Sequence, residues 1–231
     1  MNATWLGPHC PIFERDGNPR LDVTGKPALR TMIMPASSAT IIDVWHVIGL
    51  NGTGSNSFSV DDVFVGDAYS IVRDSAAHRR EKGRMYGILM TTFYGISFAG
   101  VALGIARTAL DDFITLAGKK KPTHASQVLR ENPAVQRQLA LAEASLGAAR
   151  AYLIDRIRTV WDSGEPPNRW TVDQRARLRL ACTHAIMQAR DTVAYVYQAA
   201  GSSAVLANNP FERRFRDINA VANQAQGQPT N

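Results

Sequence analysis

The sequence predicts a mainly helical protein with a smaller β part, in which a short β-rich segment precedes an up-and-down four-helix bundle. Two observations lead to this fold class. Residues 1–75 carry β-branched runs separated by proline and glycine, which is typical of short strands and turns. Residues 76–231 instead carry apolar residues three and four positions apart, as amphipathic helices do. We therefore expect two domains, a small β part over 1–75 and a helical bundle over 76–231.

Three runs in the β-rich segment have the composition of strands: residues 30–34, 40–45 and 58–65. Pro35, Gly49 and the pair Gly52 and Gly54 separate them. The third run does not alternate strictly between apolar and polar residues, which indicates a bulge near Asp61. This segment is too short to form a closed barrel by itself.

Helix signals occur at four places in the remainder of the chain. The first helix is predicted over 76–117, and Gly118 follows it as a C-terminal cap. The other three predicted helices start at sequence caps: Asn132–Pro133, Thr171 with Gln174 three residues on, and Asn209–Pro210. We expect the third helix to end at Gly201 and the fourth near residue 223.

One uncharged run within the first predicted helix is long enough to cross a bilayer. It covers 85–106, which is 22 residues, and it contains four glycines and several hydroxyl side chains. A helix that is apolar on all sides is also typical of the centre of a bundle. We expect this run to be the core helix of the bundle, and we predict no membrane association.

The composition excludes several classes of protein. Hydrophobic residues make up 45% and charged residues 20% of the 231, which excludes a disordered chain. The two cysteines, Cys10 and Cys182, have no metal-ligand spacing, so we predict no metal site and a reducing, cytoplasmic compartment. The net charge of +6 is spread along the helices without interleaved aromatic residues, so we predict no nucleic-acid partner.

The most informative segment is 43–55, which has the sequence D-V-W-H-V-I-G-L-N-G-T-G-S. Physically it is a strand followed by a glycine-rich turn. The Trp45 ring can cover an aromatic ligand, and the hydroxyls of Thr53 and Ser55 flank Gly54, where the backbone can approach a ligand closely. The residues alone are also compatible with a tight hairpin that buries its tryptophan.

This segment resembles the D-x-W-x-x-x-G-L-x-G-T-G-S signature in the middle β-domain of the acyl-CoA dehydrogenase superfamily. Asn51 departs from it, since arginine is usual there. A second segment, 210–219, with the sequence P-F-E-R-R-F-R-D-I-N, resembles the P-L-x-R-x-x-R-D-x-H run of the flavin-dependent monooxygenase branch. The resemblance implies the C-terminal part of the middle β-domain followed by the bundle, and hence a C-terminal fragment.

The resemblance also implies a flavin cofactor, FAD or FMN. On the flavin side of the β part it points to four residues: Trp45, Thr53, Gly54 and Ser55. In the bundle it points to Lys121 as a flavin phosphate contact. It also points to Gly201 and Ser202, which would contact a phosphate of a flavin bound mainly by another subunit. The alternatives are a solvated lysine run and an ordinary helix-capping turn.

Asn219 is the second departure from the family pattern. Many monooxygenase relatives carry histidine there, facing flavin and substrate. Asparagine can form hydrogen bonds but does not act as an acid or base near pH 7, so it is a weaker catalytic candidate. The glutamate with which acyl-CoA dehydrogenases abstract a proton has no clear counterpart in the sequence.

The function implied is a monooxygenase that hydroxylates an aromatic or heterocyclic substrate with reduced flavin and oxygen. A separate reductase would supply the reduced flavin, and the family implies a homodimer or homotetramer. One alternative is an acyl-CoA dehydrogenase acting on a thioester, which needs a carboxylate base. Another is a truncated, non-catalytic assembly module that keeps the oligomer interface of the bundle.

Overall fold

The computed structural model describes residues 3–22, 25–72, 75 and 78–228. The chain divides into two compact units. The first unit comprises Met1–His46 and Asn51–Tyr86, and the second comprises Val47–Leu50 and Gly87–Asn231. Residues 76 and 77, at the predicted domain boundary, lie outside the described residues, and that boundary stays a prediction.

The described part of the first unit contains short strands in three small antiparallel sheets. The strands are β1 (Trp5–Leu6), β2 (His9–Pro11), β3 (Leu29–Met32), β4 (Met34–Pro35), β5 (Thr40–Ile42), β6 (Ser57–Ser59) and β7 (Ser70–Ile71). β1 pairs with β4, β2 pairs with β3 and β3 with β7, and β5 pairs with β6 so that Ile41 lies opposite Phe58. Leu6 and Met34, opposite each other in the first sheet, are buried.

The predicted strands are present but shorter than expected. β5 ends at Ile42 because the side-chain carbonyl of Asn56 accepts hydrogen bonds from the backbone N–H groups of Val44 and Trp45, at 3.1 and 3.0 Å. These bonds replace the next pairs of the ladder. β6 ends at Ser59, and Asp62 has a φ of +48°, so the chain leaves strand geometry where the bulge was expected.

The second unit is a bundle of four α-helices, as predicted. They are α1 (Met90–Ala117), α2 (Pro133–Asp162), α3 (Val172–Ala200) and α4 (Pro210–Asn223). α3 packs against the other three helices, and α1 also packs against α4. The faces of α1 and α3 bury many alanines, and small side chains at a contact allow two helix axes to approach closely.

The predicted starts of α2 and α3 are confirmed in atomic detail. The side chain of Asn132 accepts a hydrogen bond from the N–H of Ala134 at 2.9 Å. Thr171 and Gln174 form a reciprocal capping box at the start of α3, with bonds of 2.8 and 3.1 Å. Side-chain acceptors satisfy the unpaired N–H groups of a first helical turn, so these boundaries are set locally.

The predicted start of the first helix is wrong. α1 begins at Met90, and the described residues from 78 to 89 contain only a 3-10 turn at Arg84–Gly87. Residues 78–84 have the sequence H-R-R-E-K-G-R, which offers no apolar stripe to pack against the bundle. Helices in proteins depend on such packing, and Gly83 and Gly87 each disfavour helix by about 1 kcal/mol relative to alanine.

α1 is long and apolar enough to cross a membrane, and it is the one such helix among the described residues. This is weak evidence for a span, since the core helix of a soluble protein passes the same test. The buried residues of α1 recur three and four positions apart, and they include Ala99, Ala106 and Phe113. This face is part of the bundle core, so α1 is the core helix that the sequence predicts.

Candidate functional site

The segment Val47–Leu50 packs against α4. This contact joins the two signature segments of the chain, 43–55 and 210–219. The N–H of Leu50 donates to Oδ1 of Asp217 at 2.7 Å, and Nη1 of Arg216 donates to the carbonyl oxygen of Ile48 at 2.6 Å. A Cβ atom added at Gly49 would lie 2.4 Å from the carbonyl oxygen of Arg216. Only glycine allows two backbones to approach this closely, so the contact with α4 requires a glycine at position 49.

The charged side chains of α4 hold this contact in place. Arg216 donates to both carboxylate oxygens of Glu212, at 2.7 and 3.0 Å, and hydrogen bonding to Arg216 lowers the pKa of Glu212. Oδ2 of Asp217 lies 3.6 Å from Nε of Arg213, which is four residues earlier on the same helix. Glu212 is therefore held as a carboxylate that orients Arg216, and it is unsuited to act as a base near neutral pH.

The glycine-rich turn of the first unit exposes the groups that a polar ligand needs. Ser55 Oγ donates to Thr53 Oγ1 at 3.2 Å, and both residues are exposed. Gly54 has a φ of +53°, and open space surrounds the position of its missing Cβ. Trp45 is half-buried. The turn can present hydroxyl and backbone groups, and its role in flavin binding stays a prediction.

The loop after α1 contacts the carboxyl end of α3, beside the predicted flavin contacts Gly201 and Ser202. The contact is made by Lys120 and not by the predicted Lys121. Nζ of Lys120 donates to the carbonyl oxygen of Ala200 at 2.5 Å and to Oγ of Ser203 at 2.8 Å. A cation at this end of a helix also stabilises the helix dipole. Gly201 has a φ of +56° beside this ammonium group. The predicted Lys121 and Ser202 are exposed neighbours of these residues in the chain.

Asn219 lies on α4 with its side chain turned back onto its own helix. Its Nδ2 donates to the backbone carbonyl oxygen of Phe215 at 2.7 Å. The backbone carbonyl oxygen of Asn219 accepts from Nδ2 of Asn223 at 3.0 Å. Phe215 in turn stacks on Tyr197 with ring centroids 4.4 Å apart. The amide is thus tied to the helix backbone, and its catalytic role stays a prediction.

Sequence reasoning missed a cavity of about 520 Å³ in the second unit. The start of α1, the first half of α3 and the segment after α4 form its walls. Arg175, Arg179 and Cys182 contribute to the wall from α3. Their spacing of four and three places them on one helix face, a signal that the sequence contains. Burial raises the pKa of the Cys182 thiol to about 11, so it is not a thiolate nucleophile at neutral pH.

Two hydrogen bonds hold the segment after α4 against this wall. Arg179 Nη2 donates to the carbonyl oxygen of Ala225 at 2.8 Å, and Thr183 Oγ1 donates to that of Gln226 at 3.1 Å. The cavity is therefore closed on one side by backbone that α3 positions. Within the part of the chain that the structure describes, no three His, Cys, Asp or Glu side chains are grouped as metal ligands.

Comparison with known families agrees with the helical fold of the second unit. The profile of the family "Acyl-CoA dehydrogenase, C-terminal domain" matches residues 96–229. The chain belongs to this family. The matched region contains most of α1 and the whole of the other three helices, together with Arg216 and Asp217 of the contact described above.

Two relatives and one solved structure illustrate the similarity. Indole-3-acetate monooxygenase of Pseudomonas putida is 32% identical over 199 residues, 85% of this chain and 50% of that protein. The oxygenase component of an FADH(2)-dependent resorcinol hydroxylase from Rhizobium sp. is 29% identical over 217 residues, covering 85% and 52%. The structure of XiaF from Streptomyces sp., in complex with FADH2 and glycerol, aligns with a TM-score of 0.81 at 19% identity, covering 98% and 57%. The chain spans about half the length of the relatives it matches.

Proposed function

We propose that the protein is a flavin-dependent monooxygenase that uses reduced flavin and molecular oxygen to hydroxylate an aromatic or heterocyclic small molecule. The observation that carries the proposal is the contact of Gly49 and Leu50 with Arg216 and Asp217, which joins the two signature segments. The relatives support it, since the similar proteins include an indole-3-acetate monooxygenase and a resorcinol hydroxylase.

The proposed cofactor is a flavin, FAD or FMN. Four residues of the first unit would contact it: Trp45, Thr53, Gly54 and Ser55. They fit this role because the turn is exposed, the space at Gly54 is open and the two hydroxyls are close together. When bound, the flavin supplies the redox chemistry. The residues of the turn would contribute hydrogen bonds, and the Trp45 ring would contribute an aromatic surface.

The proposed phosphate contacts in the bundle are Lys121, Gly201 and Ser202. Lys120 supports this assignment, because its ammonium group brings positive charge to the loop after α3. We propose that a second subunit supplies the rest of the binding site for that flavin, in a homodimer or homotetramer. Several large apolar side chains on the bundle helices are exposed and suit such an interface: Val101, Ile114, Leu141, Trp161 and Leu180.

Asn219 is proposed as a polar contact near the substrate and not as the group that moves a proton. An amide donates and accepts hydrogen bonds, but it does not titrate near neutral pH. The role as a base that the family histidine suggests would then be absent at this position. Replacing Asn219 with histidine is the direct way to supply that missing group.

A thioester dehydrogenase is the weaker candidate. That reaction needs a carboxylate base, and Glu212 is already bonded to Arg216. Among the described residues that line the cavity of about 520 Å³ there is no aspartate or glutamate.

The proposed partner is a separate flavin reductase, in keeping with the "oxygenase component" in the name of one relative. We propose the cytoplasm as the compartment, since both cysteines, Cys10 and Cys182, are free thiols.

The first test is an absorbance titration of the purified chain with FMN and with FAD, together with light scattering after size exclusion. We expect micromolar binding by a dimer or tetramer. We also expect Trp45→Ala to weaken binding about tenfold, the effect of losing one aromatic contact of about 1.4 kcal/mol. Trp5→Ala, in β1 of the same unit, is the matched control and should leave flavin affinity unchanged. A folded oligomer that binds neither flavin would contradict the proposal and favour the assembly module.

A further inference from the structure

The cavity of about 520 Å³ has the size of a small-molecule site. Such sites range from about 300 to 1,000 Å³ and combine apolar walls with a few polar groups. Leu89, Gly95, Ala176 and Leu178 supply apolar surface, and Cys182 lies at the position nearest to Gly95. Gly95 has no side chain, and a Cβ atom built there would lie 3.5 Å from Sγ of Cys182. An aromatic ring fits a space of this volume and lining.

The charge in this wall has one sign. Two guanidinium groups, of Arg175 and Arg179, line the cavity, and the described lining residues include no carboxylate. Arg179 already donates to the backbone of Ala225, so it is held in position. The Arg175 guanidinium has no salt bridge among the residues that the structure describes.

Neighbouring arginines on the same helix show that this is a local feature. Arg177 forms an i,i+4 salt bridge with Asp173 at 2.8 Å, and Arg190 pairs with Asp191 at 2.8 Å. Neither of these two arginines lines the cavity. Outside the cavity, the α3 arginines Arg177 and Arg190 are neutralised by neighbouring carboxylates, whereas Arg175 keeps its positive charge at the cavity wall.

We propose that this cavity binds an aromatic compound that carries a carboxylate. Its ring would lie against the apolar wall, and its carboxylate would pair with Arg175. The planar guanidinium matches the two oxygens of a carboxylate, which makes the pair both strong and directional. As an assignment of the substrate class, this rests on the proposed function; as a binding site, it is independent of flavin.

The test is calorimetric titration of the full chain, without flavin, with two probes of the same shape. Indole-3-acetate carries the carboxylate, and indole-3-acetamide replaces it with a neutral amide. We expect the acid to bind about tenfold more tightly, the factor expected for one charge-assisted hydrogen bond at a partly solvated site. Because flavin is absent, failure here and failure of flavin binding are separate results.

Two variants test the assigned contact. Arg175→Met should remove the tenfold preference for the acid, whereas Arg177→Met, which deletes the same charge from the same helix, should retain it. Ala176→Phe places a ring in the cavity from an exposed helix position and should abolish binding of both probes. Circular dichroism would verify that each variant is folded.

Three results would overturn the proposal. They are equal affinity for the acid and the amide, no binding of either probe by the folded chain, or equal losses in Arg175→Met and Arg177→Met. The first would leave an apolar pocket without charge selection. The last would assign the effect to the general positive charge of α3.

Discussion

The two units of the molecule differ in how much apolar surface they bury by themselves. In the bundle, all four helices contribute to one core, and Leu110, Phe113, Leu178 and Ile186 are fully buried. In the first unit the sheets have two or three short strands, and large apolar side chains such as Phe13 and Phe64 remain exposed. The helical unit therefore buries its large apolar side chains in one continuous core, whereas the β unit leaves several of its own exposed.

The largest expected effect is a loss of stability from the bundle core. Phe113→Ala removes a side chain with 0% exposure and should destabilise the protein by about 3–5 kcal/mol, since the cavity only partly collapses. Phe64→Ala, at 94% exposure in the first unit, should change stability by less than about 0.5 kcal/mol. Chemical denaturation measures both. Similar losses in the two variants would contradict the contrast between the units.

The next effect concerns the segment Val47–Leu50, which belongs to the helical unit although its neighbours in the chain do not. Gly49→Ala forces a Cβ atom against the backbone of Arg216 and should cost about 1–3 kcal/mol, as overpacking does. The hydrogen bond of the Leu50 amide to Asp217 should weaken, so hydrogen exchange at that amide should accelerate.

Gly52→Ala is the control for this prediction, because no atom lies within 4 Å of the position of its Cβ. It should leave exchange at Leu50 unchanged. Unaltered protection of Leu50 in Gly49→Ala would show that the backbone contact does not hold the segment.

The smallest effect is the pH dependence of the pair that orients Arg216. The bond to Arg216 lowers the folded-state pKa of Glu212 from its ordinary value of 4.5. The stabilisation is therefore fully present above about pH 4.5 and is lost as the pH falls through the lower folded-state pKa. Melting temperatures of Glu212→Gln and wild type should differ at pH 7 and converge in acid. A difference that stays constant with pH would refute this linkage, and the exposed Glu165→Gln is the control.

Local signals were sufficient for most helix boundaries. Asn132 and the Thr171–Gln174 pair sit at helix starts because a capping side chain contacts N–H groups within three residues of itself. The start of α1 could not be located in the same way. Residues 78–84, which precede α1, lack an apolar face, and no side chain caps the start of the helix at Met90. Packing of the later turns against α3 therefore set the boundary.

The candidate site depended more on contacts between distant residues. The sequence motifs identified the family, and the family match over residues 96–229 agrees with that identification. They did not predict that Leu50 bonds Asp217, that Lys120 and not Lys121 caps α3, or that Arg175 lines a cavity. Each of these depends on which residues become neighbours in the tertiary structure. Helix periodicity defines a face of a helix, but it does not identify the residues that pack against that face.

The amino-acid sequence by itself determined the presence of four helices, the capped starts of α2 and α3, the order of β part and bundle, and membership of the family. These follow from interactions within a few residues and from the spacing of apolar side chains. Only the tertiary structure decided that residues 47–50 dock on α4, which glycine the contact requires, and where positive charge lines a cavity. Those outcomes rest on ångström-scale approach between residues up to 168 positions apart, which no local pattern records.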